Sequence, residues 1–315
     1  MMPVQTSGSD STPMRWPHGK RCAVCLTFDF DAESLWLVKD AANAERLATL
    51  SQGRYGAKVG VPKILELLRE EQLKATFFTP GWTVDNHPSK VARILEDGHE
   101  LAHHGYMHHW PDPGNPAQIV EELDRGLEAM QRHFGVKPAG YRPPGSESCH
   151  YLLELLTQRG FLYDSCFKDD IHPYRHALRD GSPGPIELPE HPSLDDWSYG
   201  TSHLRFPKPI FGTDHVLGIW QDEFAMIREW GGVFVLVMHP QVTGRPMRMA
   251  ILRRFITYTR QFDDVWYATG REVAEAFAAQ EIPARHSRES GNPVSLPSAN
   301  PTPLGPRFRG DDDRK

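Results

Sequence analysis

The chain has 315 residues and a formal net charge of -6, enough length to bury a full core in one large α/β domain or two small ones. Its acidic balance leaves no basic footprint for nucleic acid, and no run approaches the roughly 18 apolar residues of a membrane span. The opening MMPVQTSGSDSTPMRWPHGKR is polar, with no apolar segment behind a charged start, so a cytoplasmic address is the expectation.

In chain order, residues 21–31, RCAVCLTFDFD, read as a buried strand rich in β-formers that ends in Asp29 and Asp31. Carboxylates at i and i+2 leave a strand on the same face, an unfavourable place for two charges unless a cation or a chemical task awaits them. Cys22 and Cys25 form a CxxC, which suits a redox pair or half a zinc knuckle. Three apart on a strand they point to opposite faces, and no second CxxC exists, so buried free thiols are expected. Residues 34–57 are weakly periodic and read as a long loop with one helix, able to wall a site.

From residue 61 the pattern is regular. Helices are predicted over 61–72, 88–97, 117–134, 150–159, 221–230, 248–262 and 271–280, and strands over 74–79, 99–102, 139–142, 161–166, 233–238 and 265–267. Residues 168–218, rich in Pro, Gly, His and Asp, offer only 186–188 as a clear strand. About seven strands alternating with helices predict βαβ units and a parallel sheet close to a barrel. One domain is expected over 16–282, after a disordered segment at 1–15 and before a disordered polar tail at 283–315.

The stretch HELAHHGYMHH puts His103, His104, His108 and His109 inside seven residues. Two histidines four apart can close on one metal ion from a helical turn or a tight loop, and a solvated His-rich loop is the alternative. Position decides between them: Asp29 and Asp31 end the first strand, the histidines the third, Arg142 the next and His239 the late apolar one. In a parallel sheet or barrel those strand ends share the face that carries the active site.

TFDFDAE at 27–33, HHGYMHH at 103–109, YRPPG at 141–145, YDS at 163–165 and MHP at 238–240 resemble, in order and spacing, the successive motifs of the polysaccharide deacetylase family, the NodB-homology carbohydrate esterases. The details are similar to its intracellular branch of peptidoglycan-deacetylase-like proteins, allantoinase-like proteins and cyclic imide hydrolases. The resemblance covers about residues 20–280 and implies a distorted (β/α)7 barrel, a TIM-like α/β fold. It also implies one divalent metal, zinc in most members with cobalt or nickel as alternatives, held by an Asp-His-His triad. Here the triad falls on Asp31, His104 and His108, with Glu100 four residues ahead selecting His104 over His103. Two imidazoles and one carboxylate leave a coordination position open for chemistry.

By the same resemblance Asp29 is the general base, Arg142 orients it, backbone N–H groups around Pro144 and Gly145 flank the oxyanion, and His239 is the general acid for the leaving nitrogen. Glu33, Tyr141, Pro144, Gly145 and Trp197 are the expected substrate-binding residues. Asp170, Asp195 and Asp196 are candidates to bind polar rings or to bond His239, with solvated loop positions as the alternative. The expected activity is hydrolysis of a non-peptide C–N bond in an N-acetylated sugar or a small cyclic amide such as an imide or allantoin-like ureide. An enclosed pocket would favour the ring. Neither a nucleic acid nor a membrane is an expected partner, and the resemblance implies a homodimer or homotetramer. The rival is a barrel that binds carbohydrate or metal without turnover. That rival predicts a missing base, ligand or acid, and none is missing here.

Overall fold

The computed structural model describes residues 14–201 and 209–289. The N-terminal segment expected over 1–15 thus falls outside the described residues but for its last two, as does the expected tail from 290 onward. Contacts divide the chain into Met1–Ala279 and Gln280–Lys315, and the fold and site described here belong to the first unit. The final helix, Gly270–Glu289, continues beyond residue 282.

Among the described residues nine strands form one sheet: β1 Cys22–Asp29, β2 Thr76–Thr79, β3 Glu100–His103, β4 Gly140–Tyr141, β5 Tyr163–Asp164, β6 Tyr174–Ala177, β7 Pro183–Glu187, β8 Val233–Met238 and β9 Val265–Tyr267. The order is β6-β7-β5-β4-β3-β2-β1-β8, with β9 beside the first residues of β1. The run from β7 to β8 contains seven mutually parallel strands, the core of a distorted (β/α)7 barrel. The curl is completed by a bridge between Asp195 and Val237, which lays the segment after β7 along β8. The two strands beyond seven are β9 and β6, an antiparallel flap on β7.

The pleat sorts each strand into two rows. In β1, Cys22, Val24, Leu26 and Phe28 join the core beneath the helices, whereas Ala23 and Cys25 face the barrel interior with Phe78, Ala102, Tyr163, Val233, Val235 and Val237. Both cysteines are free and buried, and they lie on opposite faces. The six apolar side chains of β8 are all buried, each contributing roughly 2 kcal/mol of transfer free energy against the entropy of ordering the strand. Following the inner rows toward the C-terminal mouth gives Ala23, Cys25, Thr27, Asp29 on β1, Glu100, Ala102, His104 from β3, and Val233, Val235, Val237, His239 from β8. Polar groups therefore gather at the top, while lower down the one carboxylate of these rows, Glu100, is taken up by the Tyr163 and Thr76 hydroxyls.

Two walls rise around that mouth. Residues 34–57, expected as loop with one helix, form a helix at Ser34–Lys39, a 3-10 turn at Ala41–Glu45, a helix at Leu47–Tyr55 and a π-turn at Gly56–Gly60 that leads into Val61–Glu70. They pack over polar and apolar partners together, which erases the amphipathic period. In the segment from 168, β6 adds a strand and Trp197–Gly200 a short helix, and the helix expected from 221 starts at Thr213, eight residues earlier. Gly218 reads as loop in the sequence, yet a helix tolerates it at about 1 kcal/mol. Residues 202–208 of this wall lie outside the described residues. No helix among the described residues is long and apolar enough to cross a membrane.

Candidate active site

Beyond Asp29 the chain leaves the sheet through Ala32, a non-glycine residue at φ 51°. The turn is held because Ser34 Oγ and Thr83 Oγ1 each donate to the Asp31 carbonyl at 2.8 Å. The Asp31 side chain then points into the mouth, with Oδ1 3.5 Å from His104 Nε2 and 3.7 Å from His108 Nε2. Asp29 Oδ2 lies 3.9 Å from the same His104 nitrogen, so both carboxylates converge although only Asp29 belongs to the strand.

These gaps are wider than ordinary hydrogen bonds, and Asp31 Oδ1 is buried without a hydrogen-bond partner. Tetrahedral zinc with N and O ligands at about 2.0–2.1 Å would separate neighbouring ligand atoms by roughly 3.4 Å, so the spacing fits such an ion. His104 Nδ1 donates to the Arg142 carbonyl at 2.7 Å, which leaves Nε2 with its lone pair toward Asp31. Burial pushes the His104 pKa down and that of His108 well down, keeping both imidazoles neutral as metal ligands must be. Burial pushes Asp31 up to about 7, and a neighbouring cation is what would hold such a carboxyl ionised.

Two other groupings of ligand-type side chains occur among the described residues, Asp164 with His176 and Glu187, and Asp195 with Asp196 and His239. Both are closed by internal hydrogen bonds, His176 to Glu187 at 3.0 Å and His239 to Asp196 at 2.7 Å. The Asp31 group has its donors set apart around a common centre.

Arg142, fully buried, anchors Asp29. Its Nη1 donates to Asp29 Oδ1 at 2.7 Å and to Thr27 Oγ1 at 2.9 Å, its Nη2 to Ser165 Oγ at 3.0 Å and its Nε to the Ser165 carbonyl at 3.2 Å. The guanidinium also lies over the Phe78 ring, 4.1 Å from its centroid. Burial alone would raise Asp29, but the Arg142 charge and hydrogen bond outweigh it and hold the carboxyl below its usual value.

On the opposite side, His239 Nδ1 donates to Asp196 Oδ1, while Asp196 Oδ2 accepts from the His239 backbone N–H at 2.9 Å and from Thr243 Oγ1. Burial opposes a charge here, yet the Asp196 carboxylate prevails and raises His239 to about 10. Its ring packs against Trp197 at 5.1 Å, and Trp197 meets Trp36 from the first wall at 6.3 Å.

The remaining expected residues divide. Pro144 is buried, and Gly145 sits at φ 72° under the exposed Trp110, where any Cβ would stand 2.2 Å from the indole. Trp197 lies at the mouth beside His239. Tyr141 does not: its ring is 2% exposed and packs with Leu123, Leu152 and Phe161 in the outer core, because strand parity turns it away from the interior. Glu33 is engaged by His87 Nε2 at 2.7 Å within the wall. Of the loop aspartates Asp196 bonds His239, whereas Asp170 is exposed, caps the backbone N–H groups of Ile171 and His172 and meets the His172 ring at 3.3 Å. His103 stacks on Tyr141 and bonds the Leu123 carbonyl, and the His109 side chain is exposed.

Two contributors were not expected. Glu122, on the helix Pro116–Phe134, accepts from the backbone N–H groups of Tyr106, Met107 and His109 and so shapes the loop that holds His108 at φ 73°. Its signal is a carboxylate in register with the buried Ile119, Leu123 and Gly126. Gln241, two residues past His239, donates from Nε2 to Asp31 Oδ2 at 3.1 Å, and nothing in its sequence context marks it.

Titratable groups gathered at the C-terminal mouth of parallel strands give the chain the build of a barrel enzyme. The polysaccharide deacetylase family model matches residues 17–163. A solved structure from Mycobacterium smegmatis, provisionally named a polysaccharide deacetylase, is 38% identical, covering 94% of this chain and 99% of that one with a TM-score of 0.81. A peptidoglycan deacetylase of Helicobacter pylori is 27% identical over 284 residues, 82% of this chain and 97% of the relative. An allantoinase structure, 23% identical over 88% of this chain and 97% of that one, matches in fold with a TM-score of 0.76. The chain belongs to the polysaccharide deacetylase family, whose members are hydrolases of carbon–nitrogen bonds other than peptide bonds.

Proposed function

We propose that the chain is a metal-dependent amide hydrolase built on Asp31, His104 and His108. The observation that supports this reading is the unpartnered Asp31 Oδ1 facing two neutral imidazole nitrogens at 3.5 and 3.7 Å. A divalent ion bound there, zinc first and cobalt or nickel as alternatives, would supply an acidified water and polarise the carbonyl under attack. Asp29, held ionised by Arg142 on Oδ1, would accept a proton from the attacking water through Oδ2. His239 enters protonated, with Nδ1 engaged by Asp196, and gives the proton on Nε2 to the leaving nitrogen. The Pro144–Gly145 turn flanks the carbonyl oxygen, and Trp197 offers a flat apolar face beside His239.

Burial supports a small substrate. Asp29, Asp31, His104, His108 and His239 are each at most 9% exposed, so a scissile bond has to reach groups recessed below the surface. A cyclic imide or ureide fits that better than a sugar polymer. The second reading, an N-acetylated sugar, is supported by the name of the Helicobacter pylori relative. The test is a panel of succinimide, hydantoin, allantoin and N-acetylglucosamine oligomers, assayed for ring opening and acetate release, with chelator and then with added zinc. Ring opening that zinc restores supports the first reading, and acetate release from the oligomers alone supports the second. Turnover that is indifferent to chelation removes the metal from the account.

A further inference from the structure

We propose that Gln241 is a positioning residue for the metal centre: its amide occupies one oxygen of Asp31 and thereby presents the other to the ion. The inference rests on the reading of Asp31, His104 and His108 as ligands. Gln241 is 5% exposed and sits in the short turn Pro240–Thr243 that follows β8. Because a carboxylate only accepts, the contact at 3.1 Å assigns Nε2 as the donor to Oδ2. The oxygen left over, Oδ1, is the one that faces both imidazoles.

The seat of the amide is built for this orientation. Gly56, in the π-turn of the first wall, approaches so closely that a Cβ there would stand 3.1 Å from both the backbone N and Oε1 of Gln241. One turn on, a Cβ on Gly60 would meet the Pro240 carbonyl at 2.2 Å. The wall thus closes on Gln241 from behind and limits the rotamers open to it. The placement also carries a stability cost, since Oε1 is buried without a partner and an unsatisfied buried acceptor disfavours the fold. An apolar side chain of equal length would avoid that cost. What Gln241 adds is the hydrogen bond to Asp31.

The test uses the full chain and Gln241→Met, which keeps the length and removes the donor, with Gln241→Leu as a second variant should the first fail to fold. Zinc dissociation constants are measured by competition with a chromophoric chelator, alongside melting of the metal-free proteins, and His104→Ala is run in parallel. A positioning role predicts zinc binding weakened about 10- to 100-fold with metal-free melting no lower than wild type. Zinc binding within about threefold of wild type in Gln241→Met, while His104→Ala loses it, overturns the inference and leaves the ligand reading standing. Retention of zinc by His104→Ala overturns both. Equal loss of metal-free stability and zinc affinity would mean that Gln241 only supports the fold, and that too overturns the inference.

Discussion

Replacing Asp196 with Asn tests the acid side of the mechanism through its pH dependence. Asp196 is the largest of the influences that raise His239 to about 10, ahead of Asp195 and Asp31. With a neutral amide in its place the largest of these influences is gone, and burial pulls His239 down toward the ordinary histidine value of about 6.5, taken as the limit. A general acid must be protonated when it acts. At pH 8 the protonated fraction then falls from about 99% to about 3%, roughly a 30-fold loss, whereas at pH 6 about three-quarters of the protein stays protonated. The expected result is an alkaline limb of kcat/KM that moves down by up to about 3.5 pH units, with a small deficit at pH 6 and a large one at pH 8. The assay is a pH profile with the best substrate of the panel, on zinc-loaded protein. Equal losses at pH 6 and pH 8 would mean that Asp196 merely supports the loop, and the assignment of His239 as a protonated acid would fail with it.

Other perturbations bear on neighbouring links. Arg142→Met strands the Asp29 carboxylate in a buried site, and losing one partner of a buried pair costs roughly 3–5 kcal/mol; denaturant unfolding should show a loss of that order, and a change under about 1 kcal/mol would contradict the network drawn around Arg142. The cluster outside the barrel gives a stability prediction. Burial first and Glu187 next raise Asp164 to about 7, and the Glu187 contact raises His176 above its usual value. Both groups bind protons more tightly in the folded chain than in the unfolded one. Stability should therefore fall as pH rises from about 4 through 7, with the His176 share lost beyond that. Asp164→Asn should flatten the lower part of this slope and leave the variant more stable than wild type at pH 8; a variant as pH-sensitive as the parent would contradict the shift assigned to Asp164.

Much of this site was legible because strand parity and strand ends are local properties. The alternation Ala23, Cys25, Thr27, Asp29 reaches the mouth by the same count as Val233, Val235, Val237, His239, and parity alone separates His104 from His103, which stacks on Tyr141 outside the barrel. The same parity argument, applied to β4, would have turned Tyr141 away from substrate. The fold read well wherever helices bury one stripe, as at Val61–Glu70, and poorly in the walls, where short helices touch polar and apolar surfaces at once. Least legible were partnerships made only by closure. Asp196 meets His239 across 43 residues, Glu33 meets His87 across 54, and Gln241 meets Asp31 across 210. Among Asp170, Asp195 and Asp196 sequence offers no means to tell which bonds the histidine, because the answer depends on how the segment after β7 lies along β8.

The most direct measurement for the account is metal stoichiometry by mass spectrometry on the chelator-stripped, zinc-reloaded protein, set beside Asp31→Ala and His108→Ala treated identically. The account predicts close to one zinc per chain in the parent, with hydrolysis restored in step with zinc, and loss of both in each variant. A parent that hydrolyses its substrate without bound metal, or variants that hold zinc as the parent does, would contradict it.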